Sequence, residues 1–233
     1  MKKITSVLFL FYCFSVGWAQ TVPPCTLEIT DAETFARDWT VIDVNSNVSA
    51  NTWAYNDGNA MYTQDKSNAA DDWLIAPAVT LEAGKAYKVS AYVKHSSTFG
   101  SDKQKIELKI GTAPTVEGLT TRLVYDESFQ SRLFVEKSGT FSPAESGVFY
   151  VGLRCYSGSY MGDLYFQKIV IEEAPVYPVQ ITDLSIVAGE RGAMSATLSW
   201  TWPSSDHLGG ALSNLLGAKI YRGTDLVATL DTA

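Results

Sequence analysis

The sequence predicts an all-β chain organised in two modules. Three observations carry this. Between Cys25 and Glu173 short alternating or apolar runs are separated by Gly, Ser, Asn and Asp, and no stretch keeps a helical period over a useful length. Around Glu172-Glu173-Ala174-Pro175-Val176-Tyr177-Pro178 the pattern stops, because two prolines three apart make a stiff, extended connector, and beyond it the strand-like runs resume.

In chain order, strands are expected at 39–44, 73–76, 86–94, 105–111, 122–127, 134–141, 147–155 and 164–172. Single helical turns are expected at 32–37 and 114–118, both too short to stand alone. Residues 71 to 94 are the most legible stretch. Tyr87, Val89, Ala91 and Val93 alternate with Lys88, Ser90, Tyr92 and Lys94, the period of a strand with one buried face, and Gly84-Lys85 supplies the turn before it. Pro77 gives no ladder donor, so the run Trp73-Leu74-Ile75 ends there or lies at a sheet edge, and the fragment reads as a sheet-edge corner. Near residue 150, Phe149, Val151, Leu153 and Cys155 share the core face, with Tyr150, Gly152, Arg154 and Tyr156 opposite. After the connector, 181–187, 196–202, 218–222 and 226–230 read as four more strands, too few for a closed sandwich of about seven. The second module is therefore expected to be a fragment, the alternative being that it completes itself on something else.

The first 19 residues have the three parts of a secretory signal peptide: Met1-Lys2-Lys3, an apolar run from Ile4 to Trp18, and a small residue, Ala19, at the expected cleavage point. The apolar run is shorter than the roughly 20 residues a membrane span needs, and no later segment is apolar for as long. Lys2 and Lys3 leave with the signal, so 16 basic residues face 25 acidic ones and the net charge moves from −7 to −9. An acidic chain of this kind repels nucleic acid and anionic membranes. Cys13 leaves too. Cys25 and Cys155 then form an even pair in an oxidising compartment, either bridged or as two separate thiols with Cys155 filling the core. A bridge across so long a loop would stabilise by roughly 4–5 kcal/mol on the chain-entropy model.

Trp39-Thr40-Val41-Ile42-Asp43, Asn51-Thr52-Trp53, Asp71-Asp72-Trp73-Leu74-Ile75-Ala76-Pro77 with Leu81, Gly84-Lys85 and Tyr87, and then Gly147-Val148-Phe149-Tyr150-Val151-Gly152-Leu153-Arg154 follow one another in a telling order. In that combination the first module resembles the choice-of-anchor J and cleaved-adhesin group, jelly-roll β-sandwich domains found beside bacterial surface peptidases such as the gingipains. The second resembles the opening half of a fibronectin type III domain through Ala196-Thr197-Leu198-Ser199-Trp200, Pro203, Gly209, Leu212 and Lys219-Ile220-Tyr221-Arg222, with Trp200 and Tyr221 as core residues of facing sheets. The fold class is then a jelly-roll β-sandwich followed by an incomplete immunoglobulin-like β-sandwich. Its expected boundaries are 1–19 signal peptide, 25–173 jelly roll, 174–180 linker and 181–233 partial fibronectin domain.

The resemblance implies structural calcium in the loops of the jelly roll, with Asp43, Asn45 and Asn47 as the candidate ligands. Hard cations want such oxygens. Asn45 and Asn47, however, stand where carboxylates are usual in the family, and Gln167-Lys168 where a pair of aspartates is common; an Asx turn satisfied by its own backbone is the competing reading. Ligand contact would fall to exposed aromatics, whose flat faces stack on sugar rings or peptide side chains. The candidates are Trp53, Tyr55, Tyr62, Tyr156 and Tyr160, with Tyr92 on the polar side of its strand; a core or rim role competes for each.

Catalytic signals are weak. Asp71 and Asp72 are neighbours on a strand and point to opposite faces, so they do not form a catalytic pair. His95 and His207 have no Cys, His or Glu at ligand spacing, and no nucleophile elbow or phosphate loop appears. The expectation is a noncatalytic, secreted or cell-surface module of a bacterium that recognises an extracellular glycan or a host matrix protein. Two alternatives stand beside it: the accessory region of a larger secreted peptidase or glycoside hydrolase, and a structural spacer.

Overall fold

A computed structural model describes residues 21–45, 51–97, 99–212 and 215–231. The expected signal peptide, Cys13 and Asn47 lie outside the described residues. The first module contains β1 (Cys25–Glu28), α1 (Ala32–Asp38), β2 (Thr40–Asp43), β3 (Trp53–Asn56), β4 (Asn59–Tyr62), β5 (Asp72–Ile75) and β6 (Val79–Leu81). It continues with β7 (Tyr87–His95), β8 (Gln104–Gly111), β9 (Thr121–Phe129), β10 (Val135–Phe141), β11 (Gly147–Cys155) and β12 (Leu164–Glu173). These strands form two antiparallel sheets packed as a jelly-roll β-sandwich. One sheet is ordered β10-β7-β12-β4-β3 with β1 added on β12, and the other β2-β5-β11-β8-β9 with β6 added on β11.

The alternation read in the sequence sets the core. Tyr87, Val89, Ala91 and Val93 of β7 are buried against Phe149, Val151, Leu153 and Cys155 of β11, while Lys88, Tyr92 and Lys94 stay partly exposed on the outer face. The helical turn at 32–37 forms as α1, capped by Asp31, whose Oδ1 accepts from the Thr34 amide at 2.7 Å, and anchored by buried Phe35. Four short strands were not expected. For β3 and β4 the signal was present: Asp57-Gly58 takes φ 44° and 73°, the pair of positive φ values that a tight hairpin turn needs.

The fragment 71–94 is not a sheet-edge corner. Strand β5 does end before Pro77, but it runs between β2 and β11, and β7 runs between β10 and β12 in the opposite sheet. All four residues of β5 are buried because both its faces are covered. Leu74 faces the main core, whereas Trp73 and Ile75 pack with Leu119 under the connection between β8 and β9. Two glycines allow that close approach. A Cβ at Gly152 would stand 2.4 Å from Leu119 Cδ1, and one at Gly111 would stand 1.8 Å from the Gly118 carbonyl oxygen.

Cys25 and Cys155 are separate thiols. Cys25 pairs with Ile171, which is level with Val89. Cys155 lies in the other sheet and donates its thiol to Gln104, whose amide reaches Met161 and Gly162, beside His95 at the far end of β7. Six residues of strand separate the two levels, about 20 Å, and a disulfide requires Cα atoms within about 7 Å.

Beyond Glu173 the chain forms two hairpins, β13 (Ser185–Ala188) with β14 (Ala196–Ser199) and β15 (Gly217–Arg222) with β16 (Asp225–Asp231). Each of the four strands overlaps one expected from the sequence, although β13 begins four residues later than expected and β14 ends three earlier. Trp200 and Tyr221 are not core residues of facing sheets: Tyr221 is 56% exposed, and Trp200 packs edge-on against Trp202 with ring centroids 5.6 Å apart. A two-stranded hairpin is too small to enclose a core. Among the described residues, no helix is long and apolar enough to cross a membrane.

Candidate functional site

The loops after β4, β7 and β11 gather at one end of the sandwich and enclose a small cleft. Its walls are Gln64, Ser96, Ser97, Phe99, Asp102, Tyr160 and Gly162. Phe99 and Tyr160 are 69% and 60% exposed, large rings held in water beside hydroxyl, amide and carboxylate groups.

Hydrogen bonds fix each wall. Gln64 Oε1 accepts from the Gly162 backbone N–H at 2.8 Å, and the Gln64 backbone N–H donates to Asp163 Oδ1 at 3.0 Å. Ser96 and Asp163 exchange two bonds, of 2.9 and 2.7 Å, which tie the end of β7 to the start of β12. Ser97 donates its hydroxyl to Asp102 and accepts from the Phe99 amide, while Gln130 donates to the carbonyls of Phe99 and Asp102. Tyr160 is held at φ 61°, in the left-handed region, with its amide on the Asp65 carbonyl at 2.8 Å. A tyrosine persists in that region only where its surroundings over-determine it, and such residues cluster at ligand clamps.

A buried polar layer supports the Tyr160 loop from below. Gln104, fully buried, donates to the carbonyls of Met161 at 3.1 Å and Gly162 at 2.6 Å, and accepts from Ser157 Oγ and Cys155 Sγ. His95 Nε2 donates to the same Met161 carbonyl at 2.6 Å. Burial pushes the Cys155 thiol up to about 12, so it serves this network as a neutral donor.

The aromatic residues singled out in the sequence separate accordingly. Tyr160 lines the cleft. Trp53 and Tyr62 are core side chains in edge contact at 6.0 Å, each 2% exposed, and the Trp53 indole donates to the Asp72 carbonyl. Tyr55 packs partly buried against the same core. Tyr156 points elsewhere, stacked on Tyr125 over the outer face of β8, β9 and β11 and flanked by Arg154. The sequence does not tell these apart, because Tyr55 and Tyr62 lie in strands too short to show a period and Tyr156 and Tyr160 lie at or in a loop whose bends set their direction. Phe99 carries no signal in the sequence, where it is a lone apolar residue between Thr98 and Gly100; its exposure marks it, and exposure is not written in the sequence.

The carboxylates occupy structural places. Asp71 takes Arg154 in a two-pronged pair at 2.7 and 2.8 Å, and Arg154 also lies over the Trp73 ring. Asp72 points the other way, fully buried and opposite Asp43 across β2 and β5. Asn45 donates its amide to the Ala69 carbonyl at 2.6 Å, a bond to the segment before β5 and not to the backbone of its own turn. Among the described residues no group of three His, Cys, Asp or Glu side chains could hold a metal ion. Asp43, Asp72 and Asn45 supply only part of the roughly six to eight oxygens calcium takes, and Asn47 lies outside the described residues.

Burial pushes the Asp72 carboxyl up to about 6, with the Thr52 hydroxyl acting against this and the Asp43 charge adding to it. The folded value lies above the ordinary 3.8, so the stability tied to protonated Asp72 is complete below pH 4 and is lost as pH rises through 6. The loss is on the order of 1–3 kcal/mol. Asp72→Asn is expected to raise the melting temperature at pH 8 and leave it nearly unchanged at pH 4. Thermal melts of both proteins in chelator across that range check this; parallel curves would place the titration on another group.

No family model matches the chain, and no curated protein is detectably similar to it. Among solved structures it is similar to the K3 and K1 cleaved adhesin domains of Lys-gingipain from Porphyromonas gingivalis W83. Identity to these is 12% and 14%, the match covers 62% and 65% of this chain and 97% and 99% of those chains, and the TM-scores are 0.48 and 0.45. It is also similar to the CBM22-1 xylan-binding domain from Paenibacillus barcinonensis Xyn10C, at 14% identity over 67% of this chain and 97% of that one, with a TM-score of 0.39.

Proposed function

We propose that the jelly-roll module is a noncatalytic binding module that holds a neutral extracellular carbohydrate in the cleft between Phe99 and Tyr160. The observation that carries this reading is the pair of exposed rings on a hydrogen-bonded polar frame. Rings of this kind stack on the C–H face of a sugar, and the Gln64, Ser96, Ser97 and Asp102 side chains match its hydroxyls. The acid and base candidates serve the fold instead: Asp71 is held by Arg154, Asp72 is buried and His95 is bonded to Met161. Export through residues 1–19, a place at a bacterial surface and a fibronectin-type spacer role for residues 181–233 belong to the same reading. The cleft would serve an adhesin and an accessory module of a larger secreted hydrolase alike.

Affinity electrophoresis of the secreted chain through gels containing xylan, mannan or mixed-linkage β-glucan tests it. At least one polymer is expected to retard the protein, and the double variant Phe99→Ala, Tyr160→Ala to run freely, with melting within about a degree of the parent since both rings are exposed. Loss of a stacked ring costs on the order of 1–2 kcal/mol, so each single variant should weaken binding about tenfold. Retardation that survives the double variant, or none in any gel, overturns the proposal.

A further inference from the structure

The outer face of the β10-β7-β12 sheet carries a second set of aromatic and basic side chains, apart from the cleft. Across β7 and β12, Lys94 stands opposite Tyr165 and Tyr92 opposite Lys168, so rings and ammonium groups alternate in a chequerboard. The arrangement depends on an irregularity. Tyr165 and Lys168 are three residues apart and would point to opposite faces of a regular strand, but the register shifts between Phe166 and Lys168, and the extra residue, Gln167, brings both to one face.

Lys94 Nζ lies 4.8 Å from the centre of the Phe134 ring and 4.5 Å from that of Tyr165, held between two aromatic faces. Lys168 Nζ lies 5.1 Å from the Tyr92 ring. The acids on this face lie beside the other two lysines: Glu136 pairs with Lys88 at 2.5 Å, Glu172 stands opposite Lys88, and Glu28 approaches Lys168 at 3.9 Å. Among the described residues Lys94 takes part in no such ion pair. Ring faces satisfy an ammonium electrostatically but accept no full hydrogen bond, so its N–H donors remain available for an oxygen ligand.

We propose that this face binds a uronic-acid-bearing polysaccharide, the carboxylate on Lys94 with Lys168 as a second contact, and the sugar rings on Tyr165, Phe134 and Tyr92. The chemistry favours a sugar acid over an acidic peptide, because flat apolar platforms alternate with the cations and a polyuronate alternates in the same way, ring face with carboxylate. The chain's overall negative charge does not forbid this. At physiological salt, charges beyond about 8 Å are screened; on this face Lys88, Lys94 and Lys168 balance Glu28, Glu136 and Glu172, and Lys94 is the cation that stands outside the ion pairs of the described residues.

The test measures binding of the secreted chain to polygalacturonate and alginate, with poly-glutamate and xylan as comparisons. Polygalacturonate or alginate should bind, with affinity falling as salt rises. Lys94→Gln should weaken binding at least tenfold, Lys94→Arg should retain most of it, and Tyr165→Ala should weaken it at unchanged melting temperature. The Phe99→Ala, Tyr160→Ala double variant should bind the uronate polymer as the parent does, which separates this face from the cleft. Binding to neither uronate polymer, indifference to Lys94→Gln, or equal affinity for poly-glutamate would overturn the proposal.

Discussion

Trp73→Ala is expected to destabilise the jelly-roll module by about 3–5 kcal/mol, the range for removing a fully buried large aromatic side chain. Trp73 is 1% exposed and fills the space between β5 and the β8–β9 connection, against Ile75 and Leu119. That layer is small, so it has little neighbouring material with which to close a cavity, and the cost should fall at the upper end. The ring is also the platform on which Lys109 and Arg154 rest, at 5.5 and 5.6 Å. Its removal leaves the Asp71–Arg154 pair without its apolar backing. Chemical denaturation followed by tyrosine fluorescence checks the figure. A loss below about 1 kcal/mol would mean that the connection over β5 collapses freely onto the sheet and is not a second core. Trp73→Phe should recover more than half of the loss, since it keeps an aromatic ring in the layer.

The strands that alternate cleanly, β7 and β11, were legible because one face of each is buried and the other is not. Strand β5 was legible as a strand but not in its place. A run buried on both faces looks the same whether it lies inside a sheet or at an edge covered by a loop, so Pro77 pointed to an edge that the pairing with β2 and β11 removes. The four missed strands are each three or four residues long, too short to show a period. Of the site, Tyr160 was visible as an aromatic in a Ser/Gly-rich loop. Its partner Phe99 and its support Gln104 were not, because they come from segments some sixty residues earlier and meet it only through the sandwich.

Gln104→Leu is expected both to destabilise the fold and to release the cleft. The replacement is close in size, so little volume is lost. The hydrogen bonds are lost entirely: the carbonyls of Met161 and Gly162 lose a donor, and the Ser157 hydroxyl and Cys155 thiol lose an acceptor. Each buried polar group left without a partner costs roughly 1–3 kcal/mol, but His95 still serves Met161 and the groups relax together, so the total should be about 3–4 kcal/mol. The second consequence is local. The loop from Ser157 to Asp163 holds Tyr160 at a positive φ, and without Gln104 the backbone is free to leave it. Carbohydrate binding measured well below the melting point should therefore fall about tenfold, and backbone amides of this loop should exchange faster than those of β7. Gln104→Glu is expected to do worse, because a carboxylate would face the two carbonyl oxygens that the amide now serves. If Gln104→Leu were destabilised yet bound carbohydrate like the parent, Gln104 would support the core alone, and the position of Tyr160 would rest on the Asp65 and Gln64 contacts of the facing loop.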